Sequence, residues 1–361
     1  VENNSSTSHF KEPALPSRRA VNTRALWLLP IGILLVEAAL RFMPAGFMIR
    51  TIRLRMSEIE TLPAPRIQVM GDSVTAAIHV SSFASAAHIP ADSVANYSLP
   101  GTSPVFAYFT LRRELAAGRL PGAILYAPHP ANLESPMIDR FIGRFATARE
   151  SVSLLQHGVT LPEWLFGAAC RASIAMRNRE EFRLAATQGD FGFFQTLRKP
   201  AVSVSVSREP VVHPAAPPPP LAVSPADFPA QLNTPFFVDP VNATYIDAFL
   251  DLAAQHHIPV VWVTLPVIGL FKDRAMSDGG EAKYQSWLDS LAARHSNLTF
   301  LHRQIEVYPD NCFADPWHLN SYGAARFSSA LGATFAASTI PQPPLARPAE
   351  HATGSPANRL P

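Results

Sequence analysis

Ser73, Asp315 and His318 are the residues of this sequence whose types and spacing can do covalent chemistry. Ser73 stands in RIQVMGDSVT, residues 66–75, where an apolar run stops abruptly at Gly71-Asp72-Ser73. A buried parallel strand looks like this when it reaches a functional turn, and in open α/β sheets ligands gather beyond the carboxyl ends of the strands. A serine hydroxyl is a poor nucleophile near neutral pH; it needs a base in hydrogen-bond reach and a third group to orient that base. Asp315-Pro316-Trp317-His318, far downstream, can supply such a pair from one short turn. Asp315 has a second reading, because an Asp directly before proline suits a helix N-cap with proline at the first helical position. A carboxylate has two oxygens, so the roles are compatible.

The chain around these residues alternates strands and helices. After the strand that ends at Ser73, a short helix is expected over 82–88 and a second strand over 93–99, ending at Pro100-Gly101-Thr102. Pro104 opens a helix with Val105, Tyr108, Leu111 and Leu115 on one face, and residues 123–127 form a third strand. The succession implies a parallel sheet with helical crossovers. It breaks over residues 133–200, where helix-like segments carry Arg140, Arg144, Arg149, Arg171, Arg177, Arg179 and Arg183, read as a solvated face, with a site for anionic headgroups or an acidic glycan as the other reading. Residues 200–235 hold ten prolines and read as an exposed loop. Alternation returns with a helix through Ile246, Phe249, Leu250 and Ala253 and a β-branched strand over 259–265. A helix through Tyr284, Leu288 and Leu291 and a fifth strand over 298–301 follow. Asn320 then caps a last helix whose Ala324, Phe327, Leu331 and Phe335 face inward.

Gly71-Asp72-Ser73 paired with Asp315-x-x-His318 resembles the SGNH, or GDSL-type, family of serine esterases and acyltransferases, across residues 65–338 apart from the middle. The resemblance implies a flavodoxin-like three-layer α/β/α fold with a mainly parallel five-stranded sheet. It implies a catalytic triad of Ser73, His318 and Asp315. It also implies an oxyanion hole built from the N–H of Ser73, the N–H of Gly101 in Asn96-Tyr97-Ser98-Leu99-Pro100-Gly101, and an asparagine after the third strand. Asn132 is the candidate for that asparagine, although His129-Pro130-Ala131-Asn132 departs from the family's Gly-x-Asn-Asp. His129 is expected to be a loop residue or substrate contact.

With 361 residues, 47% of them hydrophobic, the chain can bury a full core. A net charge of +2 argues neither for nor against an acidic partner, and the lack of a basic stripe with interleaved aromatics leaves nothing to suggest nucleic-acid binding. No metal site or phosphate-cradling loop is recognisable, so no cofactor is expected; His256-His257 suit a helix end, where the dipole favours them. Two cysteines, Cys170 and Cys312, are too few for a disulfide framework. In an exported domain they can pair and steady the loop of Asp315; two unpaired buried thiols are the other reading.

Residues 25–42, ALWLLPIGILLVEAALRF, form the one membrane-grade segment, about 27 Å long as a helix against a hydrocarbon core of about 30 Å. A signal peptide is the alternative, since Arg18, Arg19 and Arg24 precede it, but no small-x-small cleavage site follows. Arg41, Arg50, Arg53 and Arg55 beyond it leave the orientation open on charge alone. The expected layout is a polar tail (1–24), a single-pass anchor (25–42), a spacer (43–65), a catalytic domain (66–338) with an insert (133–240), and a tail (339–361). An apolar segment ahead of the Gly-Asp-Ser strand resembles membrane-anchored, envelope-facing members of the family. That resemblance implies a periplasmic domain that hydrolyses or transfers acyl esters on a cell-envelope carbohydrate. A general esterase or lipase remains open, as does an idle SGNH-like domain that binds a glycan or holds a membrane-bound acyltransferase.

Overall fold

The structure is a computed structural model that describes residues 23–41, 47–179, 182, 205–206, 216–223 and 236–338. It divides into two units, Val1–Met43 and Pro44–Pro361. The described part of the first is one helix, α1 (Thr23–Arg41), with Ile31, Leu34, Leu35 and Val36 exposed. Among the described residues no helix is long and apolar enough to cross a membrane. The single-pass anchor expected over residues 25–42 is not found among them, and Phe42 and the side chains before Ile31 lie outside the described residues. The expected tails, from residue 22 back and from 339 on, lie outside the described residues.

The second unit begins with α2 (Phe47–Thr61), in the stretch expected to be a spacer. Ile52, Met56 and Ile59, spaced at i, i+4 and i+7, share one face and are buried against the domain. Arg55 donates from its guanidinium to the Ser98 carbonyl, tying α2 to the loop after the second strand.

From there the strands are β1 (Ile67–Gly71), β2 (Val94–Asn96) and β3 (Ala123–Ala127), with α3 (Val80–Ala86) and α4 (Pro104–Ala116) between them. After β3 come the short helices α5 (Pro130–Leu133), α6 (Ile138–Arg144), α7 (Ala148–Leu154), α8 (Leu161–Ala172) and α9 (Ile174–Arg177). Next follow β4 (Ser205–Val206), α10 (Pro240–Gln255), β5 (Val260–Val263), β6 (Val267–Ile268), α11 (Gly269–Ala275) and α12 (Gly280–Arg294). The chain closes with β7 (Leu298–His302), β8 (Val307–Tyr308) and α13 (Ser321–Ala337).

Five strands run parallel in the order β2-β1-β3-β5-β7, flanked by helices. The expected count of five omitted an edge. The two residues of β4 pair antiparallel with β2, inside the stretch read as a proline loop, so the sheet has six strands. Of that stretch, Pro217–Pro220 are described and lack regular structure, as proline's missing N–H dictates. β6 and β8 make a separate parallel pair.

Val69, Ile124, Val260, Val261 and Trp262 are fully buried, which explains why these strands read as unbroken apolar runs rather than alternating ones. α10 packs on α4, and α13 on α3. At Gly332 of α13 a Cβ would come 2.9 Å from that of Ala86, so only glycine lets the two helices meet there. Because β2 and β3 flank β1, the chain turns outward in both directions from β1, and the crevice between the ends of β1 and β3 is the switch point where such sheets bind ligands.

Several arginines of the helical insert bind carbonyls or a carboxylate, while Arg149 and Arg171 are exposed and Arg183 lies outside the described residues. Arg144 donates to the Arg177 carbonyl at 2.8 Å, Arg177 to that of Cys170 at 3.2 Å, and Arg171 to that of Ala146. Arg179 pairs with Asp139 at 2.5 Å. Short helices leave many carbonyls without intrahelical partners, and these guanidinium groups satisfy them.

Cys170 and Cys312 are buried free thiols, the second of the two readings their sequence left open, and the possible bond between them is absent. Cys170 is held against Gly143 between α8 and α6, and Cys312 lies under Gly323 in the first turn of α13. Each is packed into its own contact, and burial pushes both thiols above their usual range.

Candidate active site

The turn after β1 is shaped by close packing. A Cβ on Gly71 would lie 2.8 Å from the Ala127 carbonyl and 2.7 Å from Thr75 Cβ. The missing side chain lets the end of β1 lie against the end of β3. Asp72 turns inward and is 2% exposed. Its Oδ1 accepts from Val74 N at 2.8 Å, with a longer contact of 3.4 Å from Thr75 N. Its Oδ2 accepts from His129 N at 2.9 Å and Asn132 Nδ2 at 2.6 Å. The Thr75 hydroxyl donates to the Ala127 carbonyl. Asn96, at the end of β2, donates to the carbonyls of Thr75 and Ile78, both at 3.1 Å. Residues from three strand ends thus hold the turn, and Ser73 sits on it, only partly buried.

The downstream pair comes from a narrow loop. Phe313 and Leu319 form an isolated antiparallel bridge, and Ala314 N donates to the His318 carbonyl at 2.8 Å. Asn320 braces this loop from below, donating to the carbonyls of Asn311 and Phe313 while its Oδ1 accepts from Gly323 N and caps α13. No helix starts at Asp315. Its carboxylate nevertheless does the work of a cap, since Oδ1 accepts from Trp317 N and His318 N, each at 2.8 Å. Oδ2 faces His318 Nδ1 at 2.8 Å. His318 Nε2 then lies 2.9 Å from Ser73 Oγ.

The electrostatics follow from these contacts. The hydrogen bond that His318 Nδ1–H donates to Asp315 raises the His318 pKa above its ordinary value against the opposing effect of burial, and the charges of Asp315 and Asp72 add to it. Burial alone would raise Asp315, but the bond to His318 and the two backbone N–H bonds outweigh it and hold the carboxyl below its ordinary value. The side chains of His318 and Asp315 are 38% and 47% exposed, so the pair is open to a substrate from outside.

His129 is at 2% exposure, which removes it from any open surface and corrects its reading as a substrate contact. Its Nδ1 accepts from Ala131 N at 3.2 Å, capping α5, and its ring meets the edges of Phe271 and Trp317. Burial pushes its pKa down to about 4, so near neutral pH it is an uncharged cap. Asn132 is brought to the turn, with one amide hydrogen on Asp72 and a second left over. Gly101 takes φ = 66° in the turn between β2 and α4. That turn is tied to the end of β1 through Leu99 N, which donates to the Gly71 carbonyl at 3.1 Å, while the Thr102 hydroxyl donates to the Leu99 carbonyl at 2.6 Å. Among the described residues the N–H groups of Ser73 and Gly101 have no acceptor. No cluster of three or more His, Cys, Asp or Glu side chains that would suit a metal ion is present among the described residues.

Asp72, Asn96 and Trp317 were not singled out as site residues in the sequence. The one local signal was an Asp beside the candidate nucleophile followed by Thr75, a pattern that also fits an ordinary turn.

No protein-family model matches the chain, and no curated protein matches it. Among solved structures it is similar to one from Streptococcus pneumonia, provisionally described as a platelet activating factor. The identity is 11% and the TM-score 0.33, over 85% of this chain and 97% of that one. A likeness of that size leaves the chemistry of the site to be read from the residues themselves.

Proposed function

We propose that the chain is a serine-dependent acyl-ester hydrolase or O-acyltransferase of the SGNH type that works through an acyl-enzyme on Ser73. The observation that carries this reading is the relay from Ser73 Oγ to His318 Nε2 at 2.9 Å and from His318 Nδ1 to Asp315 at 2.8 Å. In the proposed reaction His318 takes the hydroxyl proton as Ser73 attacks the acyl carbonyl. Asp315 holds the tautomer with the proton on Nδ1 and stabilises the imidazolium. The developing oxyanion is met by the N–H groups of Ser73 and Gly101 and by the second amide hydrogen of Asn132. His318 returns the proton to the leaving alcohol, and water or a sugar hydroxyl then takes the acyl group by the reverse steps.

A cell-envelope carbohydrate as substrate belongs to the same proposal and rests on the resemblance of Gly71-Asp72-Ser73 and Asp315-x-x-His318 to the SGNH family. An attachment to the membrane through residues 25–42 rests on the apolar sequence alone, and the placement of the domain outside rests on the resemblance.

The direct test is labelling with a fluorophosphonate that reacts with activated serines. The expected adduct is on Ser73 and is absent in Ser73→Ala; an adduct that survives that substitution removes Ser73 as the nucleophile. The acid limb supplies a second expected result. Because Asp315 raises the His318 pKa, kcat/KM for an ester should fall as pH drops through a midpoint above 6.5, where the base becomes protonated. Asp315→Asn should move that midpoint to lower pH and reduce the plateau. A midpoint unmoved by the substitution would mean that another group sets the limb.

A further inference from the structure

α4 carries three charged residues in a row, Arg112, Arg113 and Glu114, and the third is turned to the sheet. Arg112 is exposed, and Arg113 Nε donates to Glu150 of α7 at 2.8 Å. Glu114 is 1% exposed and meets Gln68 in the middle of β1, which is 0% exposed. Gln68 Nε2 donates to Glu114 Oε2 at 2.7 Å, which joins one end of each head group. At the other ends, Gln68 Oε1 and Glu114 Oε1 are both buried with no hydrogen-bond partner. Two acceptor oxygens are left over, and with Glu114 ionised neither has a hydrogen to give the other. As a carboxylate, Glu114 would be a buried charge with a single hydrogen bond and no paired cation, a state that interiors escape by taking up a proton.

The charged groups around the pair do not remove that pressure. Arg119, in the turn after α4, draws the Glu114 pKa down, but its Nη1 donates to the Glu60 carbonyl at 2.6 Å, and among the described residues it forms no ion pair with Glu114. Tyr97, from the loop after β2, is 2% exposed, and its phenol is pushed up to about 12, chiefly by burial, so it is uncharged near neutral pH. Glu58 of α2 acts on Tyr97 in the same sense as Glu114, a second negative group on that side, and Arg55 of α2 reaches the Ser98 carbonyl. Burial is the largest influence on Glu114 and pushes it up to about 7 against Gln68 and Arg119.

We propose that Glu114 is held as a neutral carboxylic acid whose proton makes a second hydrogen bond, from Glu114 Oε1 to Gln68 Oε1, and that this acid–amide pair is a pH-sensitive clamp between α4 and β1. The clamp fastens the helix that begins just after Gly101 to the strand that ends at the Ser73 turn. Its sign is fixed by linkage. The folded chain keeps the Glu114 proton at pH values where the unfolded chain, with a carboxyl near 4.5, has lost it. The contribution to stability is therefore whole below about 4.5, falls as pH rises, and is gone above about 7.

The test is urea unfolding of the intact chain at pH 5 and pH 8, wild type beside Glu114→Gln. Glutamine is a permanent neutral stand-in that can give the same second bond. Relative to the wild type, the folding constant of Glu114→Gln should rise by about tenfold or more between pH 5 and pH 8. Other titrating groups, His318 among them, are common to both chains and cancel. Infrared spectra at pH 6 supply the direct readout: the carbonyl band of a protonated carboxyl should be weaker in Glu114→Gln. Glu134 is also raised to about 7, so both chains carry Glu134→Gln in that comparison. A stability difference that is the same at pH 5 and pH 8, a Glu114→Gln chain less stable than the wild type at pH 8 or unable to fold, or an unchanged carbonyl band would each overturn the clamp.

Discussion

His318→Ala is expected to lower ester turnover by about ten-thousand-fold or more, and Ser73→Ala by a similar amount. The reason is geometric. A single imidazole touches both the serine hydroxyl and the Asp315 carboxylate, so removing it leaves the nucleophile protonated and the acid without a partner. Because the residues act as a unit, the double variant should be no slower than the worse of the singles. Folding should barely notice, since the His318 side chain is over a third exposed and its loop is held by Asn320 and the Phe313 to Leu319 bridge. The measurement is p-nitrophenyl acetate turnover by the intact chain, with urea unfolding alongside. Turnover in Ser73→Ala within tenfold of the wild type, with the unfolding midpoint unchanged, would sink the assignment.

Asp72→Asn is expected to damage both folding and function. The carboxylate takes donors from Val74, Thr75, His129 and Asn132, all in a site 2% exposed. An amide of the same shape offers one acceptor oxygen and points N–H groups at whichever donors face the other position. Leaving buried donors unpaired costs about 1–3 kcal/mol each, so a loss of about 2–5 kcal/mol is expected in urea unfolding. Asn132 would lose its anchor, and Ser73 would shift with the turn, so kcat should fall well before the protein unfolds. A variant with wild-type stability and wild-type kcat would show that Asp72 neither braces the turn nor positions Asn132.

Much of the sheet was legible because its strands are buried on both faces and bounded by glycine or proline, as at Ala123–Ala127 and around Val260. α13 was legible from its helical spacing and its asparagine cap. What escaped was fixed by distant partners. β4 exists only because β2 offers an unpaired edge, and nothing in a proline-rich stretch announces two residues that add to it. α2 carried the i, i+4, i+7 pattern of Ile52, Met56 and Ile59, but its place between the apolar segment and the first strand made it read as a spacer. Two arginines of the insert, Arg144 and Arg171, looked like surface charge because the carbonyls they bind, those of Arg177 and Ala146, lie far from them in the chain.

The site divides in the same way. Ser73, Asp315 and His318 stand out by residue type and spacing, whereas their meeting depends on a loop shape set by Asn320 and Phe313. Asp72 lay in plain view beside Ser73, but its donors come from residues 129 and 132, so its role is invisible without the neighbouring strand. For Cys170 and Cys312 the sequence left a bond and two buried thiols both open, and packing keeps each in its own contact.

The bond between Ser73 and His318 joins positions 245 residues apart. At about 5–20 residues per second, a ribosome needs roughly 12–50 s to pass from one to the other. Throughout that interval the growing chain carries its serine with no base beside it. Reactivity would thus arrive last, as a property of the finished chain, and a product truncated anywhere before the final loop would be chemically silent even with its first three strands in place.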